Sequence, residues 1–186
     1  MSQDARILYS GRYIALGSRN GWEYVLRRHR VVVIVAWTPD NELLLVEQHR
    51  VPIDRPTIEL PAGLVGDEAG MERESLLEAA GRELEEETGW RAGALQALMH
   101  CPTSAGLTDE EVTFISAREL VRTGSGGGDD SEDITVHRVA RDNIDTWLGE
   151  RYRAGLAIDP KIYTALYWSM SGCQPPTSDN DQSGNR

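Results

Sequence analysis

Residues 81–90 are Gly-Arg-Glu-Leu-Glu-Glu-Glu-Thr-Gly-Trp, and this acidic stretch decides how the rest of the chain is interpreted. We predict a helix over residues 72–88, followed by Gly89 in the left-handed conformation that commonly ends helices. Residues three and four apart are neighbours on a helix, so Glu83, Glu86 and Glu87 share one face. Another face carries the residues expected to pack on a sheet, namely Leu77, Ala80, Leu84 and Thr88.

The acidic face of this helix is the first candidate functional feature. Like charges at helical spacing repel by about a few tenths of a kcal/mol per pair, so a bound cation would explain their clustering. Mg²⁺ is the natural candidate, because it takes oxygen ligands, keeps several waters and binds together with substrate phosphates. A solvated acidic surface is the alternative that the residues alone leave open.

The composition excludes several classes of partner. The chain has 186 residues, with 19 Lys plus Arg against 30 Asp plus Glu, and a formal net charge of −11. This charge argues against a nucleic-acid partner, which requires a basic face, and against an anionic membrane surface. We find neither a signal peptide nor an apolar run of membrane-spanning length, and therefore expect a cytoplasmic protein. Lys161 is the only lysine, and codon usage explains most of the resulting preference for arginine.

The order of predicted elements indicates the fold class. Short strand-like segments precede and follow the acidic helix, and two further helices are predicted near residues 142–153 and 160–170. This order predicts an α+β fold, an α/β/α sandwich with a mixed β-sheet. We divide the chain into an N-terminal β extension at residues 1–30, a main domain at 31–170 and a disordered tail at 171–186.

The helix and the segment before it resemble the signature of the Nudix hydrolase family. That signature is a glycine, five residues, a glutamate, seven residues and then Arg-Glu-hydrophobic-any-Glu-Glu-any-Gly-hydrophobic. Glu74 and residues 82–90 match its second part at the same spacing. Ten residues rather than the usual five separate Gly63 from Glu74, which we interpret as a longer loop before the helix. The resemblance implies the family's α/β/α fold and attack of water on a phosphorus of a substituted nucleoside diphosphate.

The resemblance also implies a metal site holding Mg²⁺, with Mn²⁺ as the other possible ion. Glu74 and Arg82 would orient the helix, and the cation would neutralise pyrophosphate charge and acidify a bound water. Carried over by position, the metal ligands are the carbonyl of Ala62 and the carboxylates of Glu83, Glu86, Glu87 and Glu132.

An acidic loop follows the glycine-rich segment at residues 125–128 and resembles the family loop that supplies catalytic carboxylates. Glu132 would be a late metal ligand or the base, and Asp130 occupies a catalytic position that is often glutamate. A solvated acidic loop is the alternative. The catalytic group predicted in this way is Glu132, Asp130, Glu86 and Arg82.

Segments outside the signature resemble the ADP-ribose and nucleoside-diphosphate-sugar pyrophosphatase branch of the family. They are residues 21–27 (GWEYVLR), 47–50 (EQHR) and 59–63 (ELPAG). The resemblance implies that Trp22 stacks on the base and that the N-terminal strands are exchanged across a homodimer. A structural aromatic at Trp22 and a surface charge at Arg27 are the alternatives. The predicted substrate-binding residues are Trp22, Arg27, Arg50 and Glu59.

The predicted reaction is hydrolysis of the pyrophosphate of ADP-ribose or a related nucleoside diphosphate sugar to a nucleoside monophosphate and a sugar phosphate. Ala105 stands where ADP-ribose-specific members of the branch carry proline, which leaves other diphosphate sugars open. Hydrolysis of GDP-mannose or of dinucleoside polyphosphates is the alternative within the enzyme class. A non-catalytic nucleotide-sugar sensor is the alternative outside it.

Overall fold

The first three strands form an antiparallel sheet that precedes the main domain. The structure, a computed structural model, describes residues 6–67, 70–128 and 133–170. Strands β1 (Arg6–Ser10), β2 (Ile14–Arg19) and β3 (Trp22–Arg27) lie in the order β1-β2-β3. Asn20 and Gly21 join β2 to β3 with φ of 56° and 80°, the positive angles that a tight hairpin requires. The structure therefore confirms the predicted N-terminal β extension.

Two four-stranded sheets form the centre of the main domain. One has the order β10-β5-β6-β11 and the other the order β7-β4-β9-β8. The pairs β4–β9 and β6–β11 are parallel and the remaining pairs are antiparallel, so both sheets are mixed. Their strands are β4 (Val31–Ala36), β5 (Glu42–Arg50), β6 (Arg55–Glu59), β7 (Ala62–Leu64), β8 (Trp90–Pro102), β9 (Glu111–Arg122), β10 (Thr135–Ala140) and β11 (Ala157–Ile158).

Strand β4 is buried on both faces, and this places helices on both sides of the sheets. Val32 and Ile34 face a cluster formed with helix α1 (Leu76–Thr88). Val33 and Val35 face the other cluster, which includes residues of helices α2 (Ile144–Arg153) and α3 (Pro160–Met170). A strand that is buried on both faces needs apolar side chains at successive positions, as β4 has. The predicted α+β fold, an α/β/α sandwich, is confirmed.

Within the described residues, no helix is both long enough and apolar enough to cross a membrane.

Helix α1 differs from the prediction at its beginning. It begins at Leu76 rather than at residue 72, because Ser75 and Glu78 form a capping box in which each side chain accepts from the other residue's backbone amide. Its end is as predicted, with Gly89 at φ 72°. The predicted packing of Leu77 is wrong, since Leu77 is exposed and Leu76 contacts the core instead.

Candidate active site

The acidic face of α1 lies directly against strand β7. A methyl group on Gly63 would lie 1.9 Å from Cδ and 2.0 Å from Oε1 of Glu83. Only glycine therefore allows this carboxylate to approach the backbone of β7. Glycine is required here for space alone, since Gly63 is not among the positive-φ residues.

Glu87 lies beside the same backbone segment. Its side chain is only 3% exposed, and its Oε2 accepts a hydrogen bond from the amide of Ala62 at 3.1 Å. Because strand β7 pairs with β4 through Ala62 and Gly63, the sheet fixes the position of this backbone. The carboxylates of Glu83 and Glu87, on successive turns of α1, thus contact Gly63 and Ala62 of β7. These are the signature glycine and the predicted backbone ligand of the Nudix resemblance.

Arg82 connects the carboxylates of α1 to the preceding loop. Its Nε and Nη2 donate to the two oxygens of Glu74 at 3.0 and 3.2 Å, and Nη1 donates to Glu83 and Glu86 at 3.0 and 3.1 Å. The hydrogen bond from Arg82 lowers the pKa of Glu74, and the same bond raises the pKa of Arg82. This network supports the orienting role predicted for Glu74 and Arg82.

The electrostatics of Glu83 favour a cation. Burial raises the pKa of Glu83 to about 7, and the charge of Arg82 offsets only part of this effect. A carboxylate that loses hydration without full compensation is a strong partner for a positive ion. Glu86, on the same face, is more exposed than Glu83.

The residues present fit a hard divalent ion. Carboxylate oxygens of Glu83, Glu86 and Glu87 and the backbone of Ala62 supply the oxygen donors that Mg²⁺ prefers. Within the part of the chain that the structure describes, no three acidic, histidine or cysteine side chains are already gathered at ligand distances. The half-buried carboxylate of Glu83, in its close approach to Gly63, and the buried carboxylate of Glu87 are therefore the observations that support the fit.

The predicted substrate-binding residues Arg50 and Glu59 are brought together across strands β5 and β6. Nε and Nη2 of Arg50 donate to the two oxygens of Glu59, each at 2.6 Å, and Glu59 is 4% exposed. The hydrogen bond to Glu59 raises the pKa of Arg50, and the charges of Glu87 and Asp159 add to the shift. Arg50 therefore belongs to the same electrostatic environment as the α1 carboxylates.

Trp22 and Arg27 contact a different part of the chain, the loop at residues 103–110. Trp22 Nε1 donates to the carbonyl of Gly106 at 3.3 Å, although the ring is 66% exposed. Arg27 forms an ion pair with Glu110, and its amide donates to Asp109 at 3.0 Å. The pairing of this loop with β3 joins residues that are more than 80 positions apart in the chain, so no local sequence pattern indicates it.

The glycine-rich segment docks on the last turn of α1. The amides of Gly127 and Gly128 donate to the carbonyls of Glu87 and Glu86 at 2.9 and 3.1 Å, which would otherwise lack partners at a helix end. Asp130 and Glu132 lie outside the described residues, as does the tail at residues 171–186.

Comparison with known proteins agrees with this architecture. The NUDIX domain matches residues 27–152. The methanol dehydrogenase activator of Bacillus methanolicus is 30% identical over 153 residues, which cover 77% of this chain and 80% of that protein. An ADP compounds hydrolase of known crystal structure has the same fold, with a TM-score of 0.62 and 22% identity over 78% of this chain and 80% of that one.

Two ADP-ribose pyrophosphatases are also similar to this chain, over shorter alignments. The enzyme of Bacillus subtilis is 38% identical over 96 residues, covering 52% of this chain and 49% of its own. The enzyme of Mycobacterium tuberculosis is 37% identical over 100 residues, covering 54% and 46%. The chain spans about half the length of these two relatives. Taken with the domain match, the comparisons establish that the chain belongs to the Nudix family, as an enzyme of the pyrophosphatase branch.

Proposed function

We propose that the chain hydrolyses the pyrophosphate bond of ADP-ribose or a related nucleoside diphosphate sugar, with a divalent metal ion. The observation that carries this proposal is the approach of the half-buried Glu83 carboxylate and the buried Glu87 carboxylate to the backbone of Ala62 and Gly63. The similarity to two ADP-ribose pyrophosphatases supports the substrate class. The products would be a nucleoside monophosphate and a sugar phosphate.

The proposed metal is Mg²⁺, with Mn²⁺ as a substitute. Its ligands would be Glu83, Glu86, Glu87 and the Ala62 carbonyl, and Glu132 would join them. When bound, the metal neutralises charge on the pyrophosphate and lowers the pKa of water. The other role of the chain is to hold the metal ligands in position, because ligands that are already in place need not rearrange during the reaction.

The proposed roles of the surrounding residues follow from their contacts. Arg82, held by Glu74, keeps the Glu83 and Glu86 side chains on one side of α1. Glu86 is a candidate for carrying a proton as well as for ligation, because it is the more exposed of the two. Asp130 and Glu132 are proposed as further catalytic carboxylates on the resemblance alone.

The substrate would extend from the N-terminal sheet towards α1. We assign base stacking to the exposed ring of Trp22 and phosphate binding to Arg27 and Arg50, whose guanidinium groups are suited to phosphate. Glu59 holds Arg50 in a fixed orientation. Residues 1–30 are proposed as a dimerisation and base-binding unit, and 31–170 as the hydrolase domain.

A different sugar is the second candidate, because Ala105 replaces the proline typical of ADP-ribose specificity. Chromatography of products from ADP-ribose, ADP-glucose, GDP-mannose and diadenosine polyphosphates with Mg²⁺ would test the substrate. We expect AMP plus ribose 5-phosphate from ADP-ribose, with dinucleoside polyphosphates hydrolysed more slowly. Preferred turnover of diadenosine polyphosphates would contradict the proposal, and tight binding without turnover would favour a sensor.

A further inference from the structure

A cavity of about 280 Å³ lies between the end of β8, the beginning of β9 and the beginning of α3. Its volume is close to the lower end of the roughly 300–1,000 Å³ typical of small-molecule sites. The floor is apolar, from Val112 and Phe114, whereas the rim carries Thr103, Thr164 and the charged pair Asp159 and Lys161. An apolar floor with a few convergent polar groups is the usual composition of a ligand site.

The charged pair at the rim is fixed in position. Asp159 accepts from the backbone amide of Lys161 at 2.8 Å through Oδ1, and its other oxygen pairs with the Lys161 ammonium. The amide of Asp159 in turn donates to the carbonyl of Ile58 on β6 at 3.0 Å. The Asp159 side chain is 10% exposed and that of Lys161 is 29% exposed, so an ammonium and a carboxylate are presented together at a partly sheltered site.

Contacts connect this cavity with the residues assigned to the substrate. Thr103 donates to Glu110 through its amide and its hydroxyl, each at 3.1 Å, and Glu110 pairs with Arg27. On the other side, Asp159 follows the strand that pairs with β6, which ends at Glu59, the partner of Arg50. The cavity is therefore connected to both guanidinium groups to which phosphate binding is assigned, through Glu110 to Arg27 and through the charge interaction of Asp159 with Arg50.

We propose that this cavity binds the sugar attached to the second phosphate, and that Lys161 and Asp159 determine specificity for it. The proposal rests on the proposed hydrolysis of nucleoside diphosphate sugars. Every sugar hydroxyl both donates and accepts hydrogen bonds. The carboxylate can accept from one hydroxyl while the neighbouring ammonium donates to the same hydroxyl or to the next one. The apolar floor suits the C–H face of a sugar ring. The single lysine of the chain thus acquires a role that the sequence did not assign.

A kinetic comparison tests the assignment. The variant Lys161→Met should raise KM for ADP-ribose about tenfold, because hydrogen bonds to charged groups contribute binding, and should leave KM for ADP methyl ester, which lacks the sugar, near the wild-type value. Arg138→Met is the control, since it also removes one cation but pairs with Glu42 on the other sheet edge. Equal changes in KM for both substrates, or no change for either, would overturn the proposal.

A second measurement does not depend on turnover. Open-chain ribose 5-phosphate forms an imine with an ε-amine, with loss of water, and cyanoborohydride reduces the imine to a stable secondary amine that mass spectrometry detects. We expect rapid labelling of Lys161 that methyl riboside 5-phosphate suppresses and AMP does not. Suppression by AMP to the same extent, or by neither compound, would refute the cavity's role. If no diphosphate sugar is hydrolysed while labelling behaves as expected, the proposed function fails and the sugar site stands.

Discussion

At the scale of single residues, Gly63 is the most informative position, because a methyl group there would meet the Glu83 carboxylate and not the backbone of a neighbour. Gly63→Ala should therefore fold normally but displace Glu83. We expect kcat/KM to fall by about tenfold to a hundredfold, since a misplacement of about 1 Å costs that much in a preorganised site. Thermal unfolding and Mg²⁺-dependent activity measured together would check this. Loss of folding with no separate effect on activity would contradict it.

The ion pair of Glu74 and Arg82 predicts a pH-dependent contribution to stability. The pKa of Glu74 is lowered in the folded state, so its contribution is present above the unfolded pKa and is lost as the pH falls through the folded pKa. Glu74→Gln should lower the free energy of unfolding by about 2 kcal/mol at pH 7, because Arg82 loses a buried partner. Urea unfolding at pH 7 and below pH 4 would measure the difference, which should shrink in acid. A difference independent of pH would refute the linkage.

At the scale of elements, the glycine-rich segment and the end of α1 form one unit. A Cβ on Gly126, which has φ 70°, would lie 2.4 Å from the carbonyl carbon of Thr88 and 2.5 Å from the oxygen of Glu87. Gly126→Ala should cost about 2–3 kcal/mol of unfolding free energy, through this clash and the strained backbone. Gly106→Ala is the matched control, since nothing lies within 4 Å of a Cβ there. Equal stability of the two variants in urea would contradict the docking.

The elements also show which features a single sequence can predict. The end of α1 follows from Gly89 alone, whereas its beginning depends on the reciprocal bonds of Ser75 and Glu78, a local motif that the prediction overlooked. Strands β7 and β11 have only three and two residues, too few for a periodic pattern, and each is defined by pairing with a partner distant in the chain, β4 and β6 respectively.

The candidate site was predictable to a similar degree. The acidic face of α1 follows from helical spacing, and Gly63 from the family signature. The bidentate pair of Arg50 with Glu59 joins two predicted residues, but nothing local indicates that they bind each other. The pairing of Arg27 with Glu110 and the placement of Lys161 beside β8 result from the topology of the sheets. Sequence reasoning therefore finds reactive residues more readily than their partners.

At the scale of the whole molecule, the charge is unevenly distributed. Residues 67–87 carry nine acidic and two basic residues, a net −7 out of the chain's −11. Cations bound at α1 would reduce this excess. An acidic chain is therefore compatible with a phosphorylated substrate that is bound through metal.

The N-terminal sheet predicts a dimer. Ile7 and Tyr9 on β1 and Tyr13 before β2 are exposed apolar or aromatic side chains on this sheet, which one chain alone leaves uncovered. Light scattering at micromolar concentration should give twice the monomer mass. The double variant Ile7→Asp and Tyr9→Asp should give the monomer mass, because charge would have to be buried at the interface. A monomeric wild-type chain would refute the predicted exchange of strands.

Hydrolysis of ADP-ribose by three forms of the chain, wild type, Glu87→Gln and Glu85→Gln, tests the central claim most directly. Glu85 lies on the same helix but forms an exposed ion pair with Arg91, so it controls for the loss of one carboxylate. We predict that Glu87→Gln lowers Mg²⁺-dependent kcat/KM by about a thousandfold, because a metal ligand supplies several kcal/mol, and that Glu85→Gln stays within about twofold of wild type. Undiminished activity of Glu87→Gln, or an equal loss in both variants, would contradict the account.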